Sequence, residues 1–363
     1  MKFLIIDTYY PGFLRSFYTQ RRDLVGRPYA EQWRVLMDQC FGTADFYSAN
    51  LRNLGCDAHE VVANCEPLQR RWAREQALPL WAAFPLYSRL RKMKNWQAAV
   101  LKAQVEQFNP DVVYVQDMNW TDAAFLRAIK RKGRLVVGQT AYALREDIDY
   151  GSYDLVVTSF PHYVRQFRSQ GVRSEYLRFA FEPRVLEFLG SVQSRYDVTF
   201  VGGYTGNHSN GTRLFEYVAG RVPVQFWGYG ADSLPQGSVI RKSYHDEAWG
   251  MQMYRVLAES KISLNRHIDH AQHFANNMRL FETTGVGTLL VTDWKENLSE
   301  MFEVGKEVVA YRTPQECAEL IAYYLEHDGE RRAVALAGQE RTLREHTYPR
   351  RMQELVNIVR KHV

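Results

Sequence analysis

Residues Asn276 to Asp293 read NNMRLFETTGVGTLLVTD, which parses as a short helix, a glycine turn and a buried strand. Asn276, Arg279 and Glu282 recur at every third position, so on a helix they share roughly one face. Met278, Leu280 and Phe281 give that helix an apolar side to bury. Gly285 and Gly287 are expected to end the helix and permit the tight turn that follows. The run Thr288–Leu289–Leu290–Val291–Thr292 has the composition of a parallel strand covered on both faces. Asp293 falls at that strand's carboxyl end, where open α/β sheets bind ligands.

A nucleotide diphosphate suits this arrangement. Helix N-termini attract phosphate, Arg279 adds a charge-assisted donor, and Glu282 can accept from ribose hydroxyls. The plain alternative is a solvated Arg–Glu pair at i, i+3.

The stretch resembles the nucleotide-sugar domain of GT-B glycosyltransferases, in the group similar to the spore maturation protein CgeB. Asn277, Arg279, Phe281, Glu282, Gly287, Leu289, Leu290 and Asp293 carry that pattern. It continues through Glu307–Tyr311, Pro314–Glu326 and the closing REHTYPRRMQEL, Arg344 to Leu355. The second half of the chain is covered well and the first half only in outline. The resemblance implies an α/β protein of two Rossmann-like domains facing across a cleft, with a C-terminal helix crossing back to the first. It implies metal-independent transfer of a hexose-type sugar from a nucleotide-diphosphate-sugar to a glycan or other acceptor, in surface polysaccharide or glycoconjugate synthesis. The donor is a substrate, and no cofactor is expected. In such enzymes the carboxylate matching Glu282 binds the donor ribose. One departure concerns mechanism. Many retaining relatives carry an acid eight residues before that glutamate, where this chain has Phe274, so a retaining reaction loses support.

A length of 363 residues suits two domains, each with its own core. The expected division is a first domain over 1–186 on the acceptor side, a linker over 187–197, a nucleotide-sugar domain over 198–345 and a closing helix over 346–363. No apolar run reaches the roughly 18 residues of a membrane span. MKFLIIDTYYPGF reads as a first strand rather than a signal peptide. Cys40, Cys56, Cys65 and Cys317 form no CxxC pair, as expected of reduced thiols in a cytoplasmic protein. The net charge of +5 is uneven, with 26 Lys/Arg against 20 Asp/Glu in residues 1–190 and 20 against 21 in the remainder.

Strands are expected at Lys2–Asp7, Ala58–Ala63, Asp111–Val115, Leu135–Gly138 and Leu155–Thr158, then at Val198–Val201, Val224–Phe226 and Lys261–Leu264. Helices alternate with them, the pattern of parallel sheets. Thr8–Pro28 is too irregular to assign.

The diphosphate is expected to meet the Gly202–Gly203 turn, Asn277, Arg279 and Arg266, the last ending the strand before the central helix. Lys261 flanks the same strand. The acceptor base is expected in the first domain, at Asp117, which has Trp120 beside it as a sugar-stacking surface, or at Asp7. Both end strands, and either is otherwise a turn residue. Asp45 suits a helix cap, and Glu146 precedes a strand on the wrong side for a simple cleft. His208 and His273 are lesser candidates for phosphate contact. Asp147–Ile148–Asp149 matches a DxD metal motif but follows no strand, so no metal is expected.

Residues 67–106 interleave Trp72, Trp81, Phe84, Tyr87 and Trp96 with eight cations between 69 and 102, against the single acid Glu75. Pro79 and Pro85 break the segment. It suits peripheral contact with the inner face of a membrane, next to a lipid-linked acceptor. It also suits an anionic glycan acceptor or a solvated face. No nucleic-acid-binding module accompanies the charge. Two other functions compete with transfer: a GT-B-shaped nucleotide-sugar 2-epimerase and a non-catalytic two-domain sugar-binding protein.

Overall fold

The structure is a computed structural model, which describes residues 1–79, 95–204 and 209–363. The chain forms two compact units, Met1–Leu177 with Met352–Val363, and Arg178–Arg351. The first division therefore falls at Leu177 rather than at 186. Helix Arg184–Leu189 occupies the start of the expected linker and packs on helix Met251–Ala258 of the second unit. The last helix, Tyr348–Arg360, carries the chain from the second unit back into the first.

The first unit holds six parallel strands: β1 (Lys2–Asp7), β2 (Asp57–Val62), β3 (Val112–Val115), β4 (Leu135–Thr140), β5 (Leu155–Thr158) and β6 (Ser174–Tyr176). Their order is β2-β1-β3-β4-β5-β6. β1 is an interior strand between β2 and β3, and its Phe3, Leu4, Ile5 and Ile6 are at most 1% exposed, as suits a strand covered on both faces. The chain passes from β1 to β2 on one side and then to β3 on the other. The carboxyl ends of β1 and β3 thus form the topological switch point, the usual ligand crevice of an open sheet.

Thr8–Pro28, unassigned from sequence, contains helix Pro11–Gln20 and the 3-10 turn Arg22–Gly26. Phe13, Phe17 and Tyr18 are its buried face. Gly12 in the first turn and the lack of a side-chain cap on Tyr10 mask the helix locally.

In the second unit, β7 (Tyr196–Val201), β8 (Val224–Trp227), β9 (Tyr244–Asp246), β10 (Ser260–Leu264), β11 (Leu289–Asp293) and β12 (Val309–Tyr311) form a second parallel sheet. The order β12-β11-β10-β7-β8-β9 puts the switch between β7 and β10. β9 is an edge strand with mostly exposed side chains and no apolar run, so the sequence carries no signal for it. Val198, Phe226, Leu264, Leu289 and Val291 anchor the core.

The described ends of the basic segment are the helices Glu66–Glu75 and Asn95–Phe108. Trp72 and Trp96 are buried with Ala73 and Val100 and are not presented to a lipid surface. Arg70 pairs with Glu66, Arg71 with Glu75 and Lys102 with Glu106. Trp81, Phe84, Pro85, Tyr87, Arg89, Arg91, Lys92 and Lys94 lie outside the described residues. Among those that are described, no helix is long and apolar enough to cross a membrane.

Candidate functional site

The central stretch forms helix Arg279–Gly285 followed by β11. Asn276 and Asn277 precede the helix rather than lying in it. Asn277 Oδ1 accepts the Leu280 N–H at 3.3 Å and its amide nitrogen donates to Asn265 Oδ1 at 2.9 Å. Asn265 in turn donates to Thr292 Oγ1 at 2.9 Å. Asn277 therefore ties the helix to the ends of β10 and β11. The Asn276 amide nitrogen is buried without a partner among the described residues.

Arg279 and Glu282 do face the same way, as the spacing predicts, but they bind each other out of solvent. Arg279 Nη1 lies 2.7 Å from Glu282 Oε2, and Nη2 donates to the Val201 carbonyl, at the end of β7, at 3.2 Å. Burial pushes the Glu282 carboxyl up from its ordinary range, and Arg279 opposes that shift. Among the described residues, Glu282 Oε1 has only a long contact with the Tyr254 hydroxyl, at 3.5 Å, and keeps acceptor capacity.

Gly285 and Gly287 end the helix and make the turn, as the sequence suggests, and Gly285 is also fixed by packing. Gly285 is the last helical residue, and a side chain there would collide with the Phe181 ring. Gly287, with φ of +83°, makes the turn. The Gly202 N–H donates to the Trp227 carbonyl at 3.1 Å, so it is engaged within the sheet end. A Cβ at Gly203 would stand 2.6 Å from the Tyr229 ring. Of the glycine-rich turn, residues 205–208, His208 included, lie outside the described residues. Beyond them starts helix Ser209–Ala219.

Arg266, just past β10, reaches the first turn of that helix: a Cβ on Gly211 would lie 3.4 Å from Arg266 Nη1. Its guanidinium also binds Asp269 at 3.0 Å. A cation at a helix N-terminus, on a sheet's switch point, is an anion site by both charge and dipole. Lys261 points elsewhere, to Asp197 at 2.7 Å.

Sequence reasoning missed His267. It is 1% exposed, and Nδ1 lies 2.6 Å from Asp293 Oδ1, which also accepts the His267 N–H at 2.9 Å. Burial pushes Asp293 upward, but His267 and Lys295 outweigh it and hold the carboxyl at about 2. The pair ties the segment after β10, next to Arg266 in the chain, to the end of β11. His267 Nε2 is buried with no partner among the described residues. The available signal was position: His267 lies three residues past β10, and Asp293 is the last residue of the neighbouring β11. His273 is exposed and lies 4.0 Å from Glu296.

In the first unit, the two base candidates meet at the switch point. Thr8 bridges them, its N–H donating to Asp7 Oδ1 at 2.7 Å and its hydroxyl to Asp117 Oδ2 at 2.6 Å. Asp117 Oδ1 accepts the Asn119 N–H at 3.0 Å, so both of its oxygens are engaged in a turn. Among the described residues, Asp7 Oδ2 has only the Thr43 hydroxyl, at 3.5 Å. Burial, with the Asp117 charge adding to it, raises Asp7 to about 7. A carboxyl that titrates there is suited to general-base work.

Asp147 is exposed and bound to Arg145, and Asp149 bonds Ser152. Among the described residues, no three His, Cys, Asp or Glu side chains converge to hold a metal.

Residues 212–357 match the glycosyl transferase-like family. No curated protein sequence matches the chain. Among solved structures, HepE of Anabaena in complex with UDP-glucose is similar over 99% of this chain and 100% of its own, with a TM-score of 0.58 at 13% identity. A glycosyltransferase from Rickettsia africae is similar over 99% and 98%, with a TM-score of 0.60 at 9% identity. AviGT4, a glycosyltransferase of avilamycin A biosynthesis, covers 99% and 97%, with a TM-score of 0.59 at 14% identity. Coverage of both units identifies the fold as GT-B.

Proposed function

We propose that this GT-B glycosyltransferase takes its sugar from a nucleoside diphosphate, with UDP-sugars first among donors, and that the second unit holds the donor. The observation that carries this reading is Arg266 at the first turn of helix Ser209–Ala219, on the switch point of the second sheet. Arg266 and the helix dipole take the diphosphate and stabilise its charge as it leaves. Glu282 accepts from a donor hydroxyl through Oε1, with Arg279 holding it in place. The UDP-glucose complex of the Anabaena protein, whose fold this chain shares, favours uracil as the base. The family match favours transfer over epimerisation or simple sugar binding.

Asp7 is the acceptor base on this reading. It takes the proton of the acceptor hydroxyl as that oxygen bonds to the sugar's anomeric carbon, and the diphosphate departs with the electrons of the broken C–O bond. The reaction so written inverts the anomeric centre, in keeping with Phe274 at the paired-acid position. The acceptor is a glycan or a lipid-linked sugar.

A thermal-shift screen with UDP, GDP, TDP, CMP and their sugars tests the donor. A ligand at 100-fold its Kd should stabilise by about 2.7 kcal/mol. No shift with any nucleotide would defeat the reading.

A further inference from the structure

The first unit contains a cavity of about 560 Å³ between helix Pro11–Gln20 and the residues after β2. Pro11, Leu14, Arg15, Tyr18, Thr19 and Arg22 line one wall. These positions follow helical spacing, so a single stripe faces the hollow. Asn64, Glu66 and Pro67 form the opposite wall.

Two features give the cavity a chemistry. Arg15 and Arg22 are exposed and have no ion pair or hydrogen bond among the described residues. The one acid in the lining, Glu66, is already bound to Arg70 at 2.7 Å. The hollow thus presents two uncompensated guanidinium groups, which are planar donors matched to phosphate and carboxylate oxygens. Thr19 adds a hydroxyl between them.

Its position links it to the candidate base. Asn64 is clamped to Tyr9, two residues beyond Asp7, its Oδ1 accepting the Tyr9 N–H at 2.9 Å and its amide donating to the Tyr9 carbonyl at 2.7 Å. The cavity therefore opens beside the carboxyl end of β1, where an acceptor hydroxyl must be presented to Asp7.

We propose that this cavity is an acceptor subsite for an anionic group, a phosphate or carboxylate carried by the acceptor and held by Arg15 and Arg22. Calling the ligand an acceptor rests on the transferase reading, whereas the anion site stands on the cavity alone. The phosphate could belong to a lipid-linked sugar and the carboxylate to an acidic glycan.

Calorimetric titration of the full chain, with UDP present to fill the donor site, tests this with inorganic pyrophosphate and with glucuronic acid as separate probes. Wild type should bind at least one, pyrophosphate pointing to a phosphate-bearing acceptor and glucuronic acid to an acidic sugar. Arg15→Ala combined with Arg22→Ala should weaken that binding by roughly tenfold or more, with UDP affinity unchanged. Both side chains are exposed, so the variant should fold, and its unfolding transition checks this. Wild type binding neither probe, or the variant binding as wild type does, would overturn the proposal. Failure of wild type to bind UDP would instead defeat the donor assignment and leave the comparison of arginine variants readable.

Discussion

Arg279 and Glu282 form an ion pair at 2.7 Å with only 16% and 7% of their side chains exposed. One helical turn separates them in sequence, and the sheet end covers both. The pair is thus part of the second unit's interior as well as of its candidate donor site.

Glu282→Ala should therefore do more than weaken nucleotide binding. It leaves the Arg279 charge buried and unpaired, which typically costs about 3–5 kcal/mol. Glu282→Gln keeps one acceptor for Arg279 and should lose less. Urea denaturation ranks the variants, and an alanine variant as stable as wild type would contradict the burial argument.

Asp7 makes two linked predictions. Its folded pKa, about 7, lies above the ordinary 3.8, so the folded protein binds the extra proton between those values. The ionised carboxyl opposes folding: that penalty is absent below about pH 3.8, grows as pH rises and is complete above 7. Asp7→Asn should gain stability relative to wild type at pH 8, by roughly 1–2 kcal/mol after allowance for partial exposure, and nothing at pH 3. The same substitution should lower kcat by about 10²–10⁴-fold if Asp7 is the base. Wild-type activity should rise with pH through 7, and a flat profile would point back to Asp117.

Arg266→Ala should weaken UDP by roughly tenfold or more while hardly affecting uridine, since the lost contact is to phosphate. Equal losses for both ligands would mean that Arg266 acts by shaping the loop.

Gly285→Ala should destabilise the second unit by about 1–3 kcal/mol, because the new methyl group meets the buried Phe181 ring. A shortened companion, Phe181→Leu, should restore part of the loss in thermal melts.

If Arg266 and the helix N-terminus supply the positive charge for the leaving group, as proposed, turnover should survive EDTA. Activity lost in EDTA and restored by Mg²⁺ or Mn²⁺ would redirect attention to Asp147 and Asp149.

Local pattern decided a large part of this protein. FLII in β1 and LLV in β11 announce buried parallel strands because a strand covered on both faces needs an unbroken apolar run. The spacing of Arg279 and Glu282 put them on one helix face, and strand-end position singled out Asp7, Asp117 and Arg266. What the sequence could not determine is how each polar group spends its bonding capacity, since that depends on partners distant in the chain. Thr8 and Asp117 are 109 residues apart, and His267 and Asp293 are 26 apart. Strand order, which turns two carboxylates into neighbours at a switch point, is likewise set by which sheet edge each crossover reaches. Gly285 shows the same division: its spacing says turn, but only the Phe181 ring, brought from another part of the chain, explains why a side chain has no room there.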